Sequence, residues 1–319
     1  MTVEAIGVDL GGTKMLVGVV DGERNVAYRA TAPSLGLGEE ELIATLQREL
    51  QAARDARPDV AAIGLGIPCT IDRERGVAIQ AVNLDLVDVP VRDLMSERLG
   101  LPVSLDNDVN AAILAEHRFG AARGADNAVM LTIGTGIGGG LVIGGEVYRG
   151  STGAGAELGH VVVQADGPRC QGNCPNRGCV EALASGTAIA REGLAAAEGA
   201  PDSALGRAVA DGVTLDGREV TDAALAGDPV AIGVLEKVGR WLGVALASLA
   251  NIFDPDVIVI GGGAMRAGDL VLEPARGQLA ARALAPMNRT PVVPAELGPD
   301  AGMIGAAAMA MLELEGQAA

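Results

Sequence analysis

Twice in this chain an apolar run stops at a glycine turn and resumes as a second apolar run. Val3 to Leu10 ends in Asp9-Leu10-Gly11-Gly12-Thr13-Lys14 and continues as Met15 to Val20. Ala128 to Ile133 ends in Gly134-Thr135-Gly136-Ile137-Gly138-Gly139-Gly140 and continues as Leu141 to Ile143. Each unit reads as strand, turn, strand, which is a hairpin and differs from the strand-to-helix glycine loops of Walker and dinucleotide folds. Recurrence of one pattern near residues 9 and 134 points to an internal duplication. It predicts two related α/β lobes with a cleft between them. Composition agrees, because 46 glycines and only 2% aromatic residues require a core of Ala, Val, Ile and Leu with closely approaching backbones.

The remaining pattern supplies the other layers. Leu42, Ile43, Leu46 and Leu50 lie at helical spacing within 39–57, and 61–67 reads as a buried strand. A short strand over 102–105 leads into Asp106-Asn107-Asp108, which caps a helix running to Phe119-Gly120. Helices are predicted near 228–252, 270–284 and 301–314, with a strand over 257–260 entering Gly261-Gly262-Gly263. The Ala-, Gly- and Asp-rich stretch 198–227 resists assignment. The expected division is a small N-terminal lobe over 1–107, joined again by the last helix, 301–319, and a large lobe over 108–300.

Charge narrows the partners. Lys and Arg total 24 against 41 Asp and Glu, a formal charge of −17, which opposes binding to nucleic acid or to an anionic membrane surface. Met1-Thr2-Val3-Glu4 is not the basic start of a leader, and no run approaches the roughly 20 apolar residues of a membrane span. A soluble cytoplasmic protein is expected. An acidic protein still binds phosphate where backbone N–H groups converge.

Several groups carry chemistry. Gly11, Gly12 and Thr13 in the first turn, and Thr135 and Gly136 in the second, offer backbone and hydroxyl donors without repelling charge, so two such turns would clamp a polyphosphate. Asp9 either caps its turn or holds Mg2+ through water. Among Asp106, Asn107 and Asp108, one is a helix cap, yet two carboxylates and an amide exceed what capping needs. Asp108 is the candidate base that takes a hydroxyl proton during attack on a γ-phosphate, with the neighbouring amide directing that hydroxyl. Cys170, Cys174 and Cys179 follow His160 in a Gly-, Pro- and Asn-rich loop. Together they form a Cys3His set suited to a closed structural zinc site, the alternative being three reduced surface thiols. His117 reads as an ordinary helix residue.

These motifs, with Gly153-Ala154-Gly155-Ala156-Glu157-Leu158-Gly159-His160 and Gly178-Cys179-Val180-Glu181, resemble the ROK family of sugar kinases and sugar-responsive repressors, most nearly its ATP-dependent glucokinases. The resemblance implies an actin-like (ribonuclease H-like) two-lobed α/β fold, with ATP and Mg2+ as cofactors, structural Zn2+, and a sugar as substrate. It implies sugar contacts from Asn83, Asn107, Asp108, Glu157, His160 and Glu181, with Asp108 as base and His160 joining the metal to the sugar. Lys14 falls in the first phosphate motif, and Gly262 and Gly263 fall in the segment resembling the family's adenosine side. A homodimer or homotetramer is implied likewise. Two departures stand out: Cys170-x3-Cys174 replaces the family's usual C-x-C, and Cys69 follows Gly66-Ile67-Pro68 where many relatives carry Gly.

The expected reaction is glucose plus ATP giving glucose 6-phosphate. Alternatives are another hexose (N-acetylmannosamine, N-acetylglucosamine or fructose), polyphosphate as donor, or a non-catalytic sugar-sensing regulator. With the first glycine turn beginning at residue 9, the helix-turn-helix of a repressor is not expected before it.

Overall fold

The computed structural model describes residues 3–81 and 84–317. In chain order it contains β1 (Glu4–Leu10), β2 (Lys14–Asp21), β3 (Val26–Pro33), α1 (Glu39–Ala56), β4 (Ala62–Ile67), β5 (Cys69–Asp72), β6 (Val77–Ala81), β7 (Val87–Val89), α2 (Val91–Leu99), β8 (Val103–Asn107) and α3 (Asp108–Phe119). There follow β9 (Ala128–Ile133), β10 (Ile137–Ile143), β11 (Glu146–Val147), α4 (Val180–Ala184), α5 (Gly186–Gly199), α6 (Ala204–Ala210), α7 (Gly217–Leu225), α8 (Pro229–Phe253), β12 (Val257–Gly261), α9 (Asp269–Arg282), β13 (Val292–Pro294) and α10 (Ala301–Gln317). Five-stranded sheets have the orders β3-β2-β1-β4-β8 and β11-β10-β9-β12-β13, and β5-β6-β7 forms a smaller one.

The chain divides into two compact units. The first comprises Met1–Gly124, Gly140–Ala156 and Glu296–Ala319, and the second comprises Ala125–Gly139 and Glu157–Ala295. This division differs from the expected lobes, 1–107 with 301–319 and 108–300, at residues 108–124, 140–156 and 296–300. Helix α3 stays with the first unit because it packs against α10 and β4 and buries Ala111, Ile113, Leu114 and Ala115.

In the first unit, β1 runs antiparallel to β2 and parallel to β4, and β4 runs parallel to β8. Strand alternation splits β1 between two cores. Ile6, Val8 and Leu10 pack with Leu42, Leu46 and Leu50 of α1 and Met95 and Leu99 of α2. Ala5 packs with Met303 and Ala307 of α10. Gly7, on the same face as Ala5, lets α10 approach so closely that a Cβ there would strike the Met303 carbonyl. Asp9 is next on that face, which delivers its carboxylate to the start of α10.

The second unit is built on β9, β12 and β13, paired in parallel and buried over Val257 to Ile260, as expected of strands covered on both faces. Helix α8 begins at Asp228, whose side chain accepts the Val230 and Ala231 N–H groups, with Pro229 opening the helix. It packs against α4, α5, α7 and α9. The unassigned stretch 198–227 holds α6 and α7, and α7 starts at a capping box formed by Asp216 and Glu219.

Candidate active site and metal centre

Strand β8 extends two residues beyond the expected 102–105, so Asp106 and Asn107 still belong to it and Asp108 opens α3. Asn107 is the cap. Its Oδ1 accepts the Val109 N–H at 2.8 Å and the Asn110 N–H at 3.4 Å, and its Nδ2 reaches the Cys69 carbonyl at 3.5 Å. The amide is therefore fixed at both ends. Asp106 is a buried carboxylate, bound by Arg149 Nε at 2.6 Å. Asp108 is partly exposed. Burial foremost, with the nearby Asp108 charge, pushes the Cys69 thiol up to about 12, so Cys69 stays a neutral thiol near Asp108.

In the first turn, Gly11 N–H donates to the Lys14 carbonyl at 3.0 Å, and Thr13 and Lys14 are exposed. Ser34, which sequence reasoning passed over, clasps this turn: its Oγ donates to the Gly11 carbonyl at 2.5 Å and its N–H to the Thr13 carbonyl at 3.2 Å. Asp9 lies against Gly302, where a Cβ would stand 2.7 Å from its carboxyl carbon. Burial raises Asp9 to about 6, partly offset by the Lys14 charge. The carboxylate lies at the N-terminal end of α10, whose dipole favours a negative charge there.

The second turn is shorter than expected. Only Gly134, Thr135 and Gly136 lie between strands, and Gly138, Gly139 and Gly140 belong to β10. Gly140 reads as turn because it is glycine, but its lack of a side chain is steric: a Cβ there would be 3.0 Å from Ile113. The turn is held from outside itself. Glu181 Oε2 accepts the Ile137 N–H at 2.8 Å, Gly186 N–H donates to the Gly134 carbonyl at 2.8 Å, and Thr187 Oγ1 donates to the Thr135 carbonyl at 2.9 Å.

One step from Glu181 is a cluster of groups that could hold a metal ion. The ligand atoms of His160, Cys170, Cys174 and Cys179 all lie within 4.8 Å of one another. Cys170 Sγ is 3.5 Å from His160 Nδ1, and Cys174 Sγ is 3.9 Å from Cys179 Sγ. A tetrahedral zinc with ordinary bond lengths has S···N and S···S edges of about 3.5 and about 3.8 Å, so the four donors fit the ion. Burial first, then the neighbouring thiols and Glu181, hold Cys170 well above the usual thiol range. The set ionises cheaply only with a cation in place. The lengthened Cys170-x3-Cys174 loop still brings Cys170 into the set, and its extra residues add a contact: Gln171 Nε2 donates to Ser185 Oγ at 3.0 Å and to the Thr135 carbonyl at 3.4 Å. Glu157 is exposed, immediately before the single 3-10 turn Leu158–His160.

A cavity of about 790 Å³, within the size range of small-molecule sites, opens beside the second turn. Thr135, Thr187, Asp216, Arg218, Gly263 and Arg266 are among its lining residues. Of the glycines expected on the nucleotide side, Gly263 lines it, whereas Gly262 packs on the Ile133 backbone with φ of 90° and Gly136 faces Glu181. Asp216 and Arg218 were missed, although the spacing Asp216-x2-Glu219 is a legible helix start. The structure thus brings Asn107 and Asp108 together in the first unit. In the second it brings together Thr135, His160, Glu181 and the three cysteines. Asn83 lies outside the described residues.

The chain is similar to known sugar kinases over nearly its whole length. Glucokinase of Streptomyces coelicolor is 38% identical over 313 residues, covering 96% of each chain. Glucokinase of Thermotoga maritima is 39% identical over 307 residues, 95% of this chain and 96% of that one. The crystal structure of a ROK family glucokinase from Streptomyces griseus in complex with glucose and AMPPNP superposes with a TM-score of 0.86 at 37% identity, over 97% of this chain and 99% of that one. The architecture is accordingly the actin-like α/β fold anticipated from the sequence. Residues 5–313 match the ROK family, and the chain belongs to it.

Proposed function

We propose that this protein is a hexose kinase that transfers the γ-phosphoryl group of ATP to the 6-hydroxyl of glucose. The observation that carries the reading lies in the second unit. Glu181 accepts the Ile137 N–H with one carboxylate oxygen, while Cys170 stands 3.6 Å from the other and 3.5 Å from His160. Groups suited to sugar hydroxyls and a turn suited to phosphate form one construction, as a reaction joining sugar to phosphate requires. Similarity to two glucokinases over nearly their whole length supports the choice of glucose.

In this reading the adenosine occupies the cavity lined by Thr135, Thr187 and Gly263. The phosphates lie on the N–H groups of both turns, with Lys14 and Thr13 at the first. Asp9 would hold Mg2+, which would neutralise charge on the phosphate oxygens. Asn107, Asp108, Glu157, His160 and Glu181 bind the hexose, and Asn83 joins them. Asp108 accepts the 6-hydroxyl proton as that oxygen bonds to the γ-phosphorus and the bond to the β–γ bridging oxygen breaks, releasing ADP. His160 offers Nδ1 to the metal set, so Nε2 remains to bond a sugar hydroxyl. We assign the metal as structural zinc on its Cys3His donors. A homodimer or homotetramer belongs to the same reading, rests on the family alone, and is tested by analytical ultracentrifugation.

The test is a coupled ADP-release assay with Mg2+ over glucose, mannose, fructose, N-acetylglucosamine and N-acetylmannosamine, with polyphosphate as second donor. Strong preference for glucose with ATP is expected. Preference for an acetamido sugar would move the substrate, and calorimetric sugar binding without turnover would turn the protein into a sensor.

A further inference from the structure

Asp106 is 1% exposed and is bonded on both oxygens. Oδ1 accepts the Asn107 backbone N–H at 2.8 Å and the Asn110 side-chain amide at 2.9 Å, and Oδ2 takes Arg149 Nε at 2.6 Å. Arg73 Nε stands 3.7 Å from Oδ2 and extends to Glu313 of α10 at 2.5 Å, whose other oxygen accepts from Ser104 Oγ. Capping does not account for this, because Asn107 already caps α3. Stability is a weak reason as well, since a buried ion pair is often no better than apolar residues of equal volume.

Two of the Asp106 bonds, from the Asn107 N–H and the Asn110 amide, lie within residues 106 to 110, the turn that carries Asn107 and Asp108, and the third ties the same carboxylate to Arg149. The Asn110 amide gives its nitrogen to Asp106 while its oxygen, buried, has no hydrogen-bond partner, so this bond fixes its orientation at a cost. Arg149 also donates to the Val147 carbonyl at 3.1 Å, and its own carbonyl takes the Gly155 N–H at 2.9 Å. Asp106 therefore grips the segment 148–156 as well, which runs directly into Glu157.

We propose that Asp106, through Arg149 and Asn110, is a positioning residue for phosphoryl transfer: it holds the first turn of α3 so that Asp108 and Asn107 meet the sugar hydroxyl in the reactive direction. The inference rests on the hexose-kinase reading. Its test measures kcat at saturating glucose and ATP, expressed per glucose-binding site counted by calorimetry, in the wild type, Asp106→Asn, Arg149→Met, Arg149→Lys and the double variant Asp106→Asn/Arg149→Met. Loss of alignment of about 1 Å costs about 100-fold, so each of Asp106→Asn and Arg149→Met is expected to lower kcat per site by about that factor, with KM for ATP unchanged. The double variant should be no worse than Asp106→Asn, and Arg149→Lys should recover most of the rate. Unchanged kcat per site with fewer sites would reduce Asp106 to a structural role and overturn the proposal, as would additive losses. If Asp106→Asn does not fold, the Arg149 pair decides alone. A wild type that binds glucose without turnover would remove the kinase reading and this proposal together, whereas normal wild-type turnover with unaffected variants would remove only the proposal.

Discussion

At the first glycine turn a carboxylate, Asp9, precedes the glycines and is raised to about 6 by burial. At the second the corresponding strand residue is Thr132, and the turn is tied by Glu181, Gly186 and Thr187 from outside the hairpin. Both turns follow a buried strand, so the backbone pattern is shared while the charge is not. The difference teaches that one backbone pattern is held in two ways, with a buried carboxylate beside the first turn and side chains and N–H groups from outside the hairpin on the second.

The sharpest way to break this comparison is Gly136→Val. A side chain there meets the Glu181 carboxylate and displaces it from the Ile137 N–H, so kcat/KM should fall by about 100-fold or more. Steady-state kinetics checks it. Asp9→Asn is expected to lose on the order of 100-fold in turnover by removing the charge opposite Mg2+, and titration with Mg2+ should show a raised half-saturation point. The same variant carries an opposite effect on stability. Because folding raises the Asp9 pKa, its contribution is fully present below the unfolded value near 4 and is lost as pH rises through about 6. Thermal melts of the protein without nucleotide should therefore show the wild type losing stability over that window relative to Asp9→Asn, with the variant melting higher at pH 7.

Metal removal probes the second turn through its attachment. About one zinc per chain is expected from metal analysis, given four tetrahedral donors, and a strong chelator should lower both Tm and activity. Absence of metal in fully active protein would refute the assignment. The smallest expected effect belongs to Gln171→Ala, which removes the side-chain donor to Ser185 and Thr135. One hydrogen bond of about 1 kcal/mol corresponds to a rise of about 5-fold in KM for ATP at unchanged kcat.

How legible these regions were follows from the range of the interactions. Both hairpins, the cap of α3 and the Cys3His set are written in residues a few positions apart, so periodicity and spacing reveal them. Strand β10 was read too short because glycines at 138–140 look like a turn when only the neighbouring Ile113 explains Gly140. The capping box that opens α7 was visible at Asp216 and Glu219, but its place on the cavity wall depends on α5 and Gly263 far along the chain. Arg149 with Asp106, Ser34 with Gly11, and Gly302 with Asp9 are pairs distant in sequence that no local pattern announces. The short strands β5, β6 and β7 and helix α2 are too brief to display a period. Asn107 shows the remaining difficulty: its type suits both a cap and a sugar ligand, and the cap is what its Oδ1 performs.

The central claim is that Asp108 takes the sugar proton, and its most direct test is ADP release by Asp108→Asn at saturating glucose and ATP, alongside calorimetric glucose binding. The account predicts binding within a few-fold of the wild type and a loss of kcat on the order of 1,000-fold, within the range of general base catalysis. Near-normal kcat in a variant that binds glucose would contradict it.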